Sequence, residues 1–178
     1  MTNQQEPKEH QLLRECIAGD RKAQQGLYDI FAPTVYAICL RYMGNSDDAK
    51  DMLQDTMVKF YQKAGEFRFQ GSLEGWVKRI GVNACLDQLK RNKAKFTTDI
   101  ENAFGLSGDV NAAQPLETKD LMRLLGTLPD GYRTVFNLYA IEGFSHGEIA
   151  TLLNISENTS KSQLFKARKW LQAKLERN

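Results

Sequence analysis

The chain contains 178 residues, 42% of them hydrophobic and 26% charged, which is an ordinary balance for one or two small globular domains. It has no apolar run of about eighteen residues, and its polar N-terminus lacks the apolar segment of a secretion signal, so we expect a cytoplasmic protein without membrane insertion. The three cysteines, Cys16, Cys39 and Cys85, lie far apart, which is typical of buried reduced thiols; a redox or metal role is the alternative. Neither His10 nor His146 is near a cysteine, and we expect no metal and no cofactor.

The net charge of +2 conceals two basic segments separated by an acidic one. Residues 78–95 hold six basic residues against one acid, and residues 158–177 again hold six against one. Between them, residues 99–120 hold five acids against one lysine. Two basic blocks separated by an acidic stretch indicate two contacts with one polyanion.

Helical periodicity recurs along the chain and strand signals are nearly absent, so the sequence predicts an all-α fold. The stretch at residues 102–115, NAFGLSGDVNAAQP, is weakly periodic and rich in turn-forming residues, which indicates a flexible linker. We therefore expect two small helical domains, at residues 1–97 and 117–178, joined by a linker at residues 98–116. The acids of this linker form either a plain solvated tether or a shield over a basic face.

Two helices are predicted in the first half of the chain. Apolar residues recur at helical spacing from Phe31 to Tyr42, which predicts a stripe that faces a core. Gly44 is suited to end this helix, and Ser46 is a good N-cap for the next one, at about residues 47–64.

Acidic residues follow one side of this second helix. Asp48, Asp51 and Asp55 are three and four positions apart, so they share a face, and Gln54 lies at its edge. Such a face is either simply solvated or a docking surface for a basic partner helix.

A short loop and a long helix follow. The loop between Gly65 and Gly71 is predicted to expose Phe67, Arg68 and Phe69. Ser72 can cap the helix, whose inward residues are predicted to be Trp76, Val77, Ile80 and Ala84, and whose other faces carry Asn83, Asp87, Lys90 and Arg91. Aromatic rings among amides and cations suit unstacked bases, because rings stack, amides read base edges and cations hold phosphates. The alternatives are a core role for Trp76 and loop packing for the two phenylalanines.

The C-terminal segment predicts a helix-turn-helix. Ser145 and Glu148 fit a capping box at the start of a short helix, after a longer helix that ends at Gly143. Asn154 can adopt the left-handed conformation of a tight turn, and Ser156 can then cap the last helix. Helix, short turn and helix in this order are typical of a DNA-reading module.

The last helix has one apolar and one basic side. At about 100° per residue, an inward side is formed by Ser160, Leu164, Ala167, Leu171 and Leu175. The opposite side and its flanks hold Asn158, Lys161, Ser162, Phe165, Lys166, Arg168 and Lys169. Phe165 either touches thymine methyl groups in a major groove or folds back beneath the domain.

In order and spacing, three of these segments resemble the extracytoplasmic-function sigma factors of bacterial RNA polymerase, and the resemblance covers nearly the whole chain except the linker. The family segment that docks on the clamp helices of the largest polymerase subunit is similar to DAKDMLQDTMVKFYQKAGEF. Its promoter-melting and −10-reading segment is similar to GSLEGWVKRIGVNACLDQLKRNK. Its −35-reading helix-turn-helix is similar to GFSHGEIATLLNISENTSKSQLFKARKWL.

The resemblance implies roles for the residues in these segments. Contact with core polymerase falls on Asp48, Asp51, Gln54 and Asp55. Contact with the −10 element, including capture of a flipped base, falls on Phe67, Phe69, Gln70, Ser72, Asn83, Asp87, Lys90 and Arg91. Contact with the −35 element falls on Asn158, Lys161, Ser162, Gln163, Phe165, Lys166 and Lys169. The chain departs from the family pattern at Ser160, usually valine, at Asn154, usually glycine, and in the loop RFQGS.

The sequence thus predicts a non-catalytic initiation factor that binds core RNA polymerase, reads the −35 and −10 promoter elements and assists strand opening. The resemblance also implies a protein inhibitor, an anti-sigma protein that is commonly membrane-anchored. A conventional helix-turn-helix repressor or activator is the alternative, and it would leave the acid row and the aromatic loop without a role. An enzyme acting on nucleic acid is a third class, which lacks support because no paired carboxylates near a histidine, metal-ligand cluster or phosphate-binding glycine loop occurs.

Overall fold

The computed structural model describes residues 7–91 and 118–176, and these residues form helices and turns without a strand. The predicted all-α fold is confirmed, whereas the linker predicted at residues 98–116 lies outside the described residues. The chain divides into two compact units. The first draws on Met1–Cys39 and Lys50–Ala84, and the second on Leu40–Ala49 and Cys85–Asn178.

The helices begin and end at defined residues. The first half of the chain contains α1 (Lys8–Ile17), α2 (Arg21–Met43), α3 (Ser46–Lys63), a 3₁₀ turn (Ala64–Glu66) and α4 (Leu73–Arg91). The second half contains α5 (Thr118–Gly126), α6 (Asp130–Phe136), a π-helical turn (Asn137–Ile141), α7 (His146–Leu153) and α8 (Glu157–Glu176). No helix in the described ranges combines the length and apolar character that a bilayer span requires.

Aromatic side chains form the centre of the first unit. Phe31 and Val35 of α2 are buried, as the apolar stripe predicts, and Phe31 meets Phe60 of α3 edge to face at a centroid distance of 5.9 Å. Phe60 also meets Trp76 of α4 at 6.0 Å. Edge-to-face pairs of this kind add to the free energy gained from burial alone, so this cluster fixes α3 and α4 against α2.

The turn between α2 and α3 differs by one residue from the prediction. Gly44 has a φ of +78°, the left-handed conformation that ends a helix. The N-cap of α3 is Asn45, whose Oδ1 accepts a hydrogen bond of 2.9 Å from the backbone N–H of Asp48. Asn45 Nδ2 in turn donates to Asp48 Oδ2 at 2.7 Å, so the Asn45 amide bonds both the backbone and the side chain of Asp48. The prediction of Ser46 as N-cap is wrong because the amide of Asn45 supplies both the acceptor and the donor.

A buried arginine organises the second unit. Arg133 of α6 is only 3% exposed, and its guanidinium donates to the backbone oxygens of Tyr42 at 2.9 Å, Met43 at 3.1 Å and Leu128 at 2.7 Å. It also pairs with the carboxylate of Asp130. Burial lowers the pKa of Arg133, and Asp130 acts in the opposite direction. The cation therefore ties together the carbonyl end of α2, the turn after α5 and the first turn of α6.

Two glycines make room for this arrangement. A Cβ on Gly44 would lie 2.8 Å from the guanidinium carbon of Arg133, and a Cβ on Gly126 would lie 3.0 Å from the carbonyl oxygen of Gly44.

Near the end of α2, Arg41 pairs with Glu142 at 2.6 Å, and Asn137 Nδ2 donates to the carbonyl oxygen of Arg41 at 2.9 Å. The end of α2 is thus held by three polar side chains of the second unit.

Candidate functional site

The acid row lies on the exposed face of α3. Asp48, Asp51, Gln54 and Asp55 are all exposed, and the opposite face of the helix buries Met52, Met57 and Phe60. Gln54 Nε2 donates a hydrogen bond of 3.1 Å to the hydroxyl of Tyr28, which fixes one end of its amide. Val58, one turn further on, is also exposed, so the row ends in an apolar side chain. A basic helix with an apolar edge is complementary to such a face.

The polar residues predicted on α4 share one face of that helix. Asn83, Asp87 and Arg91 are exposed and Lys90 is half-buried. Of the residues predicted to face inward, Val77 and Ala84 are buried, whereas Trp76 and Ile80 are half-buried. A mixed amide, carboxylate and cationic surface of this kind can bind both base edges and phosphates.

The loop before α4 departs from the prediction at Phe67. Phe67 is only 7% exposed, because its ring packs against Trp76 at a centroid distance of 5.3 Å and against Phe69 at 5.4 Å. The prediction that the loop exposes Phe67 is therefore wrong. Phe69 is half-buried, and Arg68, Gln70 and Ser72 are exposed. The predicted cap is confirmed, since Ser72 Oγ accepts a hydrogen bond of 3.1 Å from the N–H of Gly75.

The predicted helix-turn-helix elements are present between α7 and α8. The N–H of Glu148 donates to Ser145 Oγ at 3.3 Å, and the N–H of Ser145 donates to Glu148 Oε2 at 2.8 Å, which completes the capping box. Ser145 Oγ also donates to Glu148 Oε2 at 2.7 Å, and this hydrogen bond, together with the one from the N–H of Ser145, lowers the pKa of Glu148. Asn154 ends α7 at φ +56°, ψ +50°, and Ser156 Oγ accepts from the N–H of Thr159 at 3.0 Å.

Replacing the cap by Ser145→Ala should lower the free energy of unfolding of the second unit by about 1 kcal/mol, because an N-cap oxygen is lost. Urea unfolding followed by the fluorescence of Trp170 in a Trp76→Phe background measures the change. Since the folded-state pKa of Glu148 is lowered, its share of the cap is complete above its ordinary pKa and is lost as the pH falls through the folded value. Ser162→Ala on α8 is the control; equal losses in both variants would mean that the cap is not responsible.

Helix α8 has the two sides that its sequence predicts, with one exception. Ser160, Leu164 and Ala167 are buried, and Ala167 belongs to a core cluster against which Trp170 and Leu171 pack. Leu175 is exposed, contrary to the prediction, because it lies in the last turn of α8, beyond the residues that pack on this cluster.

The outward side of α8 is basic and carries an aromatic ring. The exposed residues are Asn158, Lys161, Ser162, Phe165, Lys166, Arg168 and Lys169. Phe165 is 58% exposed, and Lys169 Nζ lies 4.7 Å from the centre of its ring. Gln163, which the resemblance assigns to the −35 contacts, is only 6% exposed, and its amide nitrogen would lie 3.4 Å from a Cβ on Gly131. A base contact by Gln163 does not fit this position, because its side chain is buried.

Sequence reasoning missed the partner of Ser160. His146 Nδ1 and Ser160 Oγ are hydrogen-bonded at 2.9 Å, and the ring of His146 stacks on Tyr139 at a centroid distance of 4.6 Å. Tyr139 belongs to the π-helical turn, and Arg168 lies 5.8 Å from its ring centre. The sequence did hold one signal of such a partner, because Ser160 is the polar residue in the otherwise apolar inward side of α8. The Ser160 hydroxyl links the first turn of α7 to α8. This hydrogen bond compensates for the packing that is lost because a larger apolar side chain is absent.

Comparison with known proteins identifies the two helical segments. Residues 27–95 match the family Sigma-70 region 2, and residues 118–171 match Sigma-70, region 4. The ECF RNA polymerase sigma factor SigM of Mycobacterium tuberculosis is 33% identical over 158 residues, which cover 89% of this chain and 80% of that protein. SigW of Bacillus subtilis is 28% identical over 177 residues, covering 92% and 94%.

A solved structure gives the same assignment. The sigma factor RpoE of Bartonella quintana, in complex with the anti-sigma factor NepR, has a TM-score of 0.51 and 25% identity, covering 85% of this chain and 96% of that one. The chain therefore belongs to the extracytoplasmic-function RNA polymerase sigma factors, the initiation factors that direct RNA polymerase to promoters.

Proposed function

We propose that this sigma factor distributes its contacts over three exposed surfaces. The acid row of α3 binds the clamp helices of the largest polymerase subunit, the face of α4 with the preceding loop binds the −10 element, and α8 binds the −35 element. The observation that carries the proposal is that each surface is exposed, differs in charge from the others and lies in a segment matched to a sigma region. The division into domains at residues 1–97 and 117–178 is part of this proposal.

The docking surface consists of Asp48, Asp51, Gln54 and Asp55. Asp51 lies between Asp48 and Asp55, and like charges at this spacing on one helix face repel each other by a few tenths of a kcal/mol per pair. A basic partner helix turns this repulsion into attraction and speeds association. The exposed side chain of Val58 would add an apolar contact at the end of the row.

The −10 surface consists of Gln70, Ser72, Asn83, Asp87, Lys90 and Arg91, together with Phe69. Strand opening requires unstacked bases to be held, since unstacking costs a few kcal/mol that protein contacts must repay. Amide and guanidinium groups of α4 can hold base edges and phosphates in the opened strand. Because Phe67 is buried, we assign it a structural role beneath this surface.

The −35 surface consists of Asn158, Lys161, Ser162, Phe165, Lys166 and Lys169. The lysines would contact phosphates, and the polar side chains near the N-terminus of α8 would reach base edges in the major groove. The exposed ring of Phe165 is placed to contact thymine methyl groups.

Lys166→Ala should weaken binding of the holoenzyme to a promoter and reduce the steepness of its salt dependence by about one, because one phosphate contact and its released counterion are lost. The measurement is the logarithm of the binding constant against the logarithm of salt concentration. Lys22→Ala, at an exposed lysine of α2, is the control and should leave the slope unchanged. If Lys166→Ala and the wild type had the same slope, Lys166 would not contact a phosphate.

The test of the whole proposal is run-off transcription by core RNA polymerase, with and without the chain, on a pool of promoters. Discrete transcripts that require the chain support it, and the selected templates give the −35 and −10 sequences. Tight binding of duplex DNA by a dimer of the chain without polymerase, and without transcripts, would favour a conventional regulator instead.

The proposal extends to regulation and place of action. RpoE of Bartonella quintana was solved with an anti-sigma factor, and we expect an inhibitor protein of this class, commonly membrane-anchored, for the present chain. The chain acts in the cytoplasm with the polymerase and performs no catalysis of its own. Capture of a single protein that blocks run-off transcription would identify the inhibitor.

A further inference from the structure

We propose that Arg14 and His10 of α1 are positioning residues for the loop at residues 67–72, and that Arg68 and Gln70 make the polar contacts to a captured base. The inference rests on the proposed −10 function and assigns parts within it. In this assignment the captured base is bound at its edge by Arg68 and Gln70, and it does not stack on the rings of Phe67 and Phe69.

The loop is anchored by an aromatic cluster. The ring of His10 meets Phe67 at a centroid distance of 5.5 Å and Phe69 at 5.7 Å, edge to face in both cases. Phe67 and Phe69 meet each other at 5.4 Å, and Phe67 also packs on Trp76 of α4. The four rings join α1, the loop and α4, so movement of the loop would break several favourable ring contacts at once.

Arg14 covers Phe69. Its guanidinium carbon lies 3.9 Å from the centre of the Phe69 ring, within the range of a cation–π interaction. A base that stacked on this face would have to displace the guanidinium. Because Phe67 is buried and one face of Phe69 is occupied, the two rings are poor platforms for a base.

The backbone at Phe69 is strained. Its φ of +55° lies in the left-handed region, which is rare for a bulky residue and persists only where surrounding contacts enforce it. The contacts on its side chain come from Arg14, His10 and Phe67. We therefore assign the enforcement of this conformation to α1, together with Gly71, whose φ of +82° continues the turn.

Because the two phenylalanine side chains pack inward, the residues that alternate with them in the loop are exposed to solvent. Arg68 and Gln70 are exposed, one on either side of Phe69. Both have planar groups that can make two hydrogen bonds to one base edge, Arg with guanine and Gln with adenine in the commonest pairings. A fixed backbone between them holds the points from which the two side chains extend at a constant separation, which limits the positions at which both groups can meet one base.

The experiment compares holoenzymes on templates that differ only at single non-template-strand bases of the −10 element. The wild type should prefer one base at one position by about tenfold, as expected for a good paired contact. Arg68→Ala or Gln70→Ala should reduce that preference to less than about threefold and leave other positions unchanged. Arg14→Leu should reduce the base preference at the same position, although Arg68 and Gln70 are intact. Arg14→Lys should retain most of that preference, because the cation is kept.

The control is Arg21→Leu, at an exposed arginine of α2 in the same unit, which should change neither rate nor preference. If Arg14→Leu lowered the initiation rate equally on all templates, its role would be only structural and the positioning claim would be overturned. If preference survived in both Arg68→Ala and Gln70→Ala, the reading claim would be overturned while the sigma function stood. Absence of chain-dependent transcripts from the wild type would overturn the proposed function itself, and the inference with it.

Discussion

Charge reversal at Asp51 and Asp55 should abolish the binding of this sigma factor to core RNA polymerase. Both side chains are exposed in the middle of the acid row, so the substitutions leave the buried face of α3 intact. Arginines at these positions would face a basic partner helix, and like charges brought together in an interface cost several kcal/mol. We expect the affinity of Asp51→Arg/Asp55→Arg to fall at least about 100-fold, measured by titration of a labelled chain with core polymerase.

The control for this prediction is Glu66→Arg/Glu74→Arg, which changes the net charge by the same amount at exposed positions of the same unit outside the acid row. It should bind core polymerase nearly as tightly as the wild type. Circular dichroism checks that both variants keep their helix content. Wild-type affinity for the Asp51→Arg/Asp55→Arg variant would show that the acid row is only a solvated helix face.

Arg133→Met should lower the free energy of unfolding of the second unit by about 3 kcal/mol or more. The substitution leaves the carboxylate of Asp130 without its cation and the backbone oxygens of Tyr42, Met43 and Leu128 without their guanidinium donor. Removing one member of a buried charged network is costly because the remaining polar groups stay buried. Urea unfolding in a Trp76→Phe background reports on the second unit through Trp170, the remaining tryptophan.

Arg123→Met provides a matched control. Arg123 pairs with Asp120 three residues earlier, the same spacing as Arg133 and Asp130, but its side chain is 75% exposed and the ion pair is 3.7 Å long. An exposed pair of this kind contributes about 1 kcal/mol at most. Similar losses in the two variants would mean that burial of Arg133 is not what makes its contacts important.

The features that depend on near neighbours could be predicted from the sequence. The capping box of Ser145 and Glu148, the left-handed Asn154 and the cap by Ser156 each involve residues within a few positions, and all three are present. The exposure of Phe165 follows from the regular rotation of an α-helix. These elements locate the helix-turn-helix and its outward face.

The features that depend on distant parts of the chain could not be predicted. Phe67 is buried by Trp76 and by His10, and the latter lies 57 positions earlier in the chain. Gln163 is buried beside Gly131, which lies 32 positions earlier in the chain. Two partners of Arg133 are backbone oxygens about 90 positions away, and a backbone oxygen has no signature in a sequence. Such packing determines which of the candidate site residues are accessible.

The network around Arg133 also has a consequence for handling the protein. Contacts between lysines and phosphates weaken steeply as the salt concentration rises. Binding releases counterions from the nucleic acid, and their release into a concentrated salt solution gains less entropy. The guanidinium of Arg133 is buried among backbone oxygens, where mobile ions screen its interactions far less. A wash in concentrated salt should therefore strip co-purified nucleic acid from α8 while the second unit stays folded, and dialysis to low salt should return a preparation competent for promoter binding.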